Sequence, residues 1–153
     1  MPRISIEDVY MEVAYSISKL SYANRRQVGC VIVKDNQMIS FGYNGTPHGF
    51  DNSCEDIVTS CNNDCGCGGC DKTSTKREVL HAESNALSKI AKSTMSSDGA
   101  YLYTTTSPCF ECAKLIIQSG IKEVYYNETY RDMGGIELLE KANINVIQTN
   151  VSY

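Results

Sequence analysis

A histidine with a carboxylate two residues on, and a Cys-x-x-Cys pair further along, carry the chemistry of this sequence: His81-Ala82-Glu83 and Pro108-Cys109-Phe110-Glu111-Cys112. One imidazole and two thiolates suit zinc, which takes three protein ligands when its fourth position is kept for water. Glu83 is left over from ligation and close in sequence, so it can carry the protons of that water. Bound zinc brings the pKa of water from ~15.7 to ~7, about 12 kcal/mol of hydroxide stabilisation. The same residues also admit a closed structural zinc site with Glu83 on the surface, or a redox pair at Cys109 and Cys112.

These side chains need elements to position them. Ser5 followed by Asp8 resembles a capping box, and Ile6, Val9, Tyr10, Val13, Ile17 and Leu20 recur at helical spacing, which predicts a helix over Ile6 to Leu20. Val28 to Val33 is β-branched and reads as a strand; Asp35-Asn36 is a turn, and Met38 to Tyr43 completes a hairpin. Helical pattern returns from about Glu78 to Lys92. Strands are expected at Tyr101 to Thr105, Glu123 to Tyr126 and Ile144 to Ile147, with helices at Cys109 to Gln118 and Ile136 to Ala142. A helix, two strands and three helix–strand units predict an α/β fold. The expected sheet is five-stranded and mixed, with an antiparallel first hairpin, parallel crossovers and helices on both faces. Pro108 suits a first helical turn, which puts Cys109 and Cys112 on one face near a helix N-terminus that favours thiolate. His81 is expected at the start of the preceding helix, so that two helix N-termini converge on one metal.

The 153 residues fit one domain, 1–153, and carry a net charge of -4 with no long basic run. Nucleic acid is therefore not expected as the partner, because phosphate-backbone binding usually shows as a basic surface. No stretch approaches ~18 consecutive apolar residues and no apolar h-region opens the chain, so it reads as soluble and cytoplasmic with no membrane association. The eight cysteines are read as metal ligands rather than disulfides, since cytosolic thiols stay reduced. Five of them, Cys54, Cys61, Cys65, Cys67 and Cys70, fall in an insertion at about 52–76 that lacks apolar patterning. Cys67-Gly68-Gly69-Cys70 is a tight thiolate pair, and Cys54 with Cys61 or Cys65 supplies a second. Four such thiolates make a closed structural Zn2+ site contributing ~10 kcal/mol or more of local folding energy, against free or oxidised thiols as the alternative.

The His-x-Glu and Pro-Cys-x-x-Cys combination is the known signature of zinc nucleobase deaminases. With Gln27-Val28-Gly29-Cys30-Val31-Ile32-Val33, Gly42-Tyr43-Asn44-Gly45-Thr46-Pro47, His81-Ala82-Glu83-Ser84-Asn85-Ala86-Leu87 and Pro108 to Ile117, the chain resembles the cytidine deaminase superfamily. The likeness is strongest to the deoxycytidylate (dCMP) deaminases. That resemblance implies a cytidine deaminase-like three-layer α-β-α sandwich, a catalytic Zn2+ on His81, Cys109 and Cys112, and hydrolysis of dCMP to dUMP and ammonia for thymidylate synthesis. Glu83 would be the proton carrier, Asn44 would meet the pyrimidine edge, and the Ala82 N–H would meet the base carbonyl. Arg26, Lys114, Arg131 and Tyr130 are the candidate donors to the 5′-phosphate.

The resemblance also implies a homo-oligomer, commonly a hexamer, activated by dCTP and inhibited by dTTP, with Mg2+ accompanying the regulatory nucleotide. Asn24, Arg25, Tyr43, Gly45 and Thr46 are the expected contributors to that second nucleotide site. Some relatives carry a second zinc near the insertion; this chain departs from several of them in having no cysteine near Ser21. The other reading is a nucleic-acid deaminase acting on tRNA adenosine or single-stranded cytosine, which needs a charged groove for flanking nucleotides.

Overall fold

The computed structural model describes residues 3–59 and 71–152. Helix α1 spans Ile6–Ser18, and the Ser5 hydroxyl accepts from the Asp8 N–H at 3.1 Å, the expected N-cap. The helix stops two residues short of Leu20, where the Leu20 and Ser21 amides turn back to Ile17 and Ser18 in tighter i→i+3 bonds. Strands β1 (Gly29–Lys34) and β2 (Gln37–Tyr43) form the predicted antiparallel hairpin. Its turn residues Asp35 and Asn36 both have positive φ (51° and 58°), as a two-residue hairpin loop requires.

Strands β3 (Glu55–Thr59) and β4 (Asp71–Thr75) make a separate two-stranded antiparallel sheet. This corrects the reading of the cysteine-rich insertion as a patternless loop. Then follow α2 (Ala82–Ala91), β5 (Tyr101–Thr106), α3 (Phe110–Gln118), β6 (Glu123–Glu128), α4 (Gly134–Lys141) and β7 (Asn145–Gln148). Helix α2 begins four residues later than expected. Leu80 exchanges backbone bonds with Gly45 (2.8 and 3.1 Å), an isolated bridge that holds the chain extended up to His81.

The main sheet is five-stranded and mixed, in the order β2-β1-β5-β6-β7. Strand β1 is antiparallel to both β2 and β5, and β5, β6 and β7 run parallel. The crossover through α2 therefore joins strands of one direction that are not neighbours, because β1 lies between them. Residues of β1 alternate between two cores, as a strand with both faces covered must. Val31 and Val33 pack with Tyr10, Met11, Ala14 and Tyr103 under α1. Cys30 and Ile32 pack with Ala86, Leu102, Ile116, Val124 and Leu139 under the other three helices. These are the three layers expected. Among the described residues no helix is long and apolar enough to cross a membrane.

The antiparallel β1 has a consequence for the site. The start of β1, the end of β2 and the end of β5 all reach the same end of the sheet. Helix α2 sits close against β2 because position 42 is glycine. A Cβ there would overlap the Ala82 carbonyl oxygen and lie 2.6 Å from the Ala86 nitrogen. Gly42→Ala is expected to destabilise the fold by about 1–3 kcal/mol through overpacking, read as a lower urea midpoint. A change within about 0.5 kcal/mol would contradict this packing of α2 on β2.

Candidate active site

Two helix N-termini face each other at the carboxyl end of β5. His81 is the N-cap of α2, and its side chain makes no capping bond, which leaves the ring to face α3. Cys109 is the N-cap of α3, and its sulfur accepts from the Cys112 N–H at 3.5 Å. Pro108 thus precedes the cap rather than opening the first turn. It is buried, and α4 closes over it: a Cβ at Gly135 would overlap the Pro108 carbonyl oxygen and sit 2.8 Å from the Cys109 carbonyl carbon.

His81 Nδ1 lies 3.4 Å from both the Cys109 and the Cys112 sulfur. All three donor atoms fall within 4.8 Å of one another. A tetrahedral zinc with Zn–S ~2.3 Å and Zn–N ~2.0–2.1 Å sets nitrogen–sulfur edges of about 3.6 Å. The triad fits that ion with little adjustment, and it supplies three ligands where a closed structural site has four.

Glu83 is buried, with 4% of its surface exposed. Its Oε1 lies 3.3 Å from Thr104 Oγ1, and that hydroxyl also donates to the Thr106 carbonyl at 2.9 Å. Burial raises the Glu83 pKa above the usual carboxylate range. The Cys112 thiol donating to Cys109 pulls the latter's pKa down to about 4, and the same bond pushes Cys112 up. The His81 ring beside Cys109 adds to the lowering there, and burial adds to the rise at Cys112. The bond to Cys109 raises the His81 pKa.

A cavity of about 360 Å³ opens over these residues, within the range of small-molecule sites. His81, Ala82, Glu83 and Cys109 form its floor; Asn44, Arg26, Tyr130 and Arg131, all expected at the substrate, line its sides. Asn44 is already engaged: its Oδ1 accepts from the Val28 N–H and its Nδ2 donates to the Arg26 carbonyl, both at 2.8 Å. One amide hydrogen and one lone pair remain for a ligand.

The other expectations divide. Lys114 pairs with Glu111 on an exposed part of α3 and is not among the residues lining the cavity. Arg25, expected with a regulatory nucleotide, lines the same cavity as Arg26. Asn24 is beside it, donating from backbone and side chain to Glu55 at 2.9 and 3.4 Å. Tyr43, Gly45 and Thr46 lie outside the lining; the Tyr43 carbonyl accepts from Asn85, Gly45 bridges Leu80, and Thr46 Oγ1 donates to the Asp51 carbonyl. Sequence reasoning missed Thr104, Ser107, Glu55 and Thr75. The last two come from the insertion hairpin and have no motif of their own.

Cys61, Cys67 and Cys70, with Cys65, lie outside the described residues. Cys54 is buried at the base of β3, its sulfur 3.6 Å from the Asn52 carbonyl. The register pairs Glu55 with Thr75 and Thr59 with Asp71.

Residues 4–128 match the family model for the cytidine and deoxycytidylate deaminase zinc-binding region. The chain belongs to this family. A deoxycytidylate deaminase of Schizosaccharomyces pombe is 39% identical over 147 residues, 95% of this chain and 44% of that protein. The chain thus spans less than half the length of that relative. ComE operon protein 2 of Bacillus subtilis is 35% identical over 156 residues, 99% of this chain and 75% of that protein. Among solved structures, a dCMP deaminase from cyanophage S-TIM5, in complex with dCMP and dUMP, superposes with a TM-score of 0.82 at 40% identity. The match covers 97% of this chain and all of that one. The family's zinc-binding region contains both motifs of the triad, and the donor geometry agrees with it.

Zinc binds both sulfurs as thiolates, and the raised Cys112 pKa opposes ionisation of that thiol before the metal arrives. Calorimetric zinc titrations near neutral pH are expected to release about one proton or more per site, read from the dependence of the apparent enthalpy on buffer ionisation. Binding with no buffer dependence would mean that both thiols were ionised beforehand.

Proposed function

We propose that this protein is a zinc-dependent deaminase that hydrolyses dCMP to dUMP and ammonia, supplying precursor for thymidylate synthesis. The observation that carries the reading is the buried Glu83 beside a three-ligand N/S triad, at the floor of a cavity whose lip carries Arg25, Arg26 and Arg131. Zinc on His81, Cys109 and Cys112 would supply a strongly acidified water at neutral pH. The likeness to the cyanophage enzyme, which binds dCMP and dUMP, supports this choice of substrate.

In this scheme the chain's own groups bind, orient and move protons. Arg26, Arg131 and Tyr130 receive the 5′-phosphate. Asn44 and the Ala82 N–H, at the first turn of α2, hold the edge of the pyrimidine. Glu83 takes a proton from water as the oxygen bonds to C4, delivers it to the ring nitrogen, and helps the 4-amino group leave as ammonia when the C4–N bond breaks. Its burial suits the task, because a carboxyl group with a raised pKa holds a proton between steps.

The family resemblance further supports regulation by dCTP as activator and dTTP as inhibitor with Mg2+, a hexameric assembly and a cytoplasmic location. Because Asn24 and Arg25 adjoin the cavity, an effector using them would also touch the substrate's surroundings. A structural zinc in the insertion is proposed on Cys54, Cys61, Cys67 and Cys70.

Glu83→Gln is expected to keep the triad's zinc and lower kcat by about 10²–10⁴ or more. Undiminished turnover of dCMP by the zinc-loaded variant would remove Glu83 from the reaction. In a panel of dCMP, dCTP, deoxycytidine and a short oligonucleotide, dCMP should be preferred; turnover of the oligonucleotide alone would favour the nucleic-acid deaminase. Elemental analysis is expected to find two zincs per chain, one of them lost when Cys67 and Cys70 are replaced. One zinc in every variant would eliminate the structural site.

A further inference from the structure

The guanidinium at the lip of the cavity is held from behind. Arg26 Nη2 donates to Glu128 Oε2 at 2.8 Å. The other carboxylate oxygen, Oε1, accepts from the Tyr15 hydroxyl at 2.9 Å. The Tyr15 oxygen in turn accepts from Asn127 Nδ2 at 2.8 Å. Asn127 is itself fixed: Nδ2 also donates to the Val151 carbonyl at 3.0 Å, and Oδ1 accepts from the Val151 N–H and the Thr149 hydroxyl, both at 2.9 Å. Helix α1, the end of β6 and the segment after β7 thus converge on one carboxylate.

An ion pair this exposed, with 42% and 50% of its two side chains accessible, adds little to fold stability. Its value lies in geometry. Glu128 is oriented through both oxygens, so it presents one lone-pair direction to Arg26. Arg26 has five N–H donors in a planar fork and spends one group on Glu128, while its side chain lines the cavity.

We propose that Glu128 is a positioning residue for phosphate recognition, holding Arg26 so that its remaining N–H groups meet the 5′-phosphate of a nucleoside monophosphate. This rests on the reading above in which Arg26 is a phosphate donor. Two effects oppose each other. A fixed guanidinium avoids the ordering cost of a long side chain on binding, whereas the negative charge of Glu128 repels the phosphate. Positioning dominates, because that charge is already paired with Arg26 and half exposed to screening solvent.

The test is the KM and kcat for dCMP of Glu128→Ala, Arg26→Ala and the double variant, with zinc content and melting temperature confirming the fold. Glu128→Ala is expected to raise KM about 3- to 10-fold with little change in kcat, and to add nothing on the Arg26→Ala background. Tyr15→Phe, which frees Oε1, should raise KM less and likewise only when Arg26 is present. An unchanged or lower KM, or an equal rise without Arg26, overturns the positioning role while leaving Arg26 as a phosphate ligand. An Arg26→Ala enzyme with unaltered KM removes Arg26 from the phosphate site, and the role of Glu128 falls with it.

Discussion

Concentrated negative charge at the carboxyl end of β5 is the constraint on which this architecture depends. Two sulfurs and a buried carboxylate, Glu83, share a small volume with one imidazole. The contact with Cys109 raises the Cys112 pKa, and desolvation raises that of Glu83. A dication offsets that charge and still leaves a carboxylate with no metal to bind. The helix N-termini contribute in the same sense, since both ligand-bearing caps sit at the positive ends of their dipoles.

Bringing two caps face to face demands close backbone approach. Gly42 lets α2 lie on β2, and Gly135 lets α4 close over Pro108 and Cys109. Neither glycine offers a metal-binding side chain, yet each lets a helix approach its neighbour closely. The parallel run β5-β6-β7 then leaves Thr106, Ser107 and the turn after β6 at one edge, while the reversed β1 brings Val28 and the Asn44 turn to meet them.

Most of this was legible in the sequence. The two motifs, their helix-start positions and the order of elements follow from spacing and periodicity within a few residues of each feature. What was not legible depends on distant partners. The Leu80–Gly45 bridge delays α2, and no local pattern in residues 78–81 announces it. Strands β3 and β4 read Glu-Asp-Ile-Val-Thr and Asp-Lys-Thr-Ser-Thr. Ile57 and Val58 are exposed, so the pair shows no inward-facing alternation. Glu128 lies 102 residues from Arg26, and a lone acidic residue ending a strand carries no sign of its partner. Lys114, a basic residue near the motif, pairs with Glu111 one helical turn away, a contact set by i,i+3 spacing.

The amide of Asn44 grips the chain at two points, the Arg26 carbonyl and the Val28 N–H. The turn facing the metal cage and the loop bearing the guanidinium are thereby welded into a single jaw. Joined in this way, the two segments keep one spacing between the Asn44 amide and the Arg26 loop, so in the proposed reading the distance from ring to phosphate is set before a nucleotide arrives.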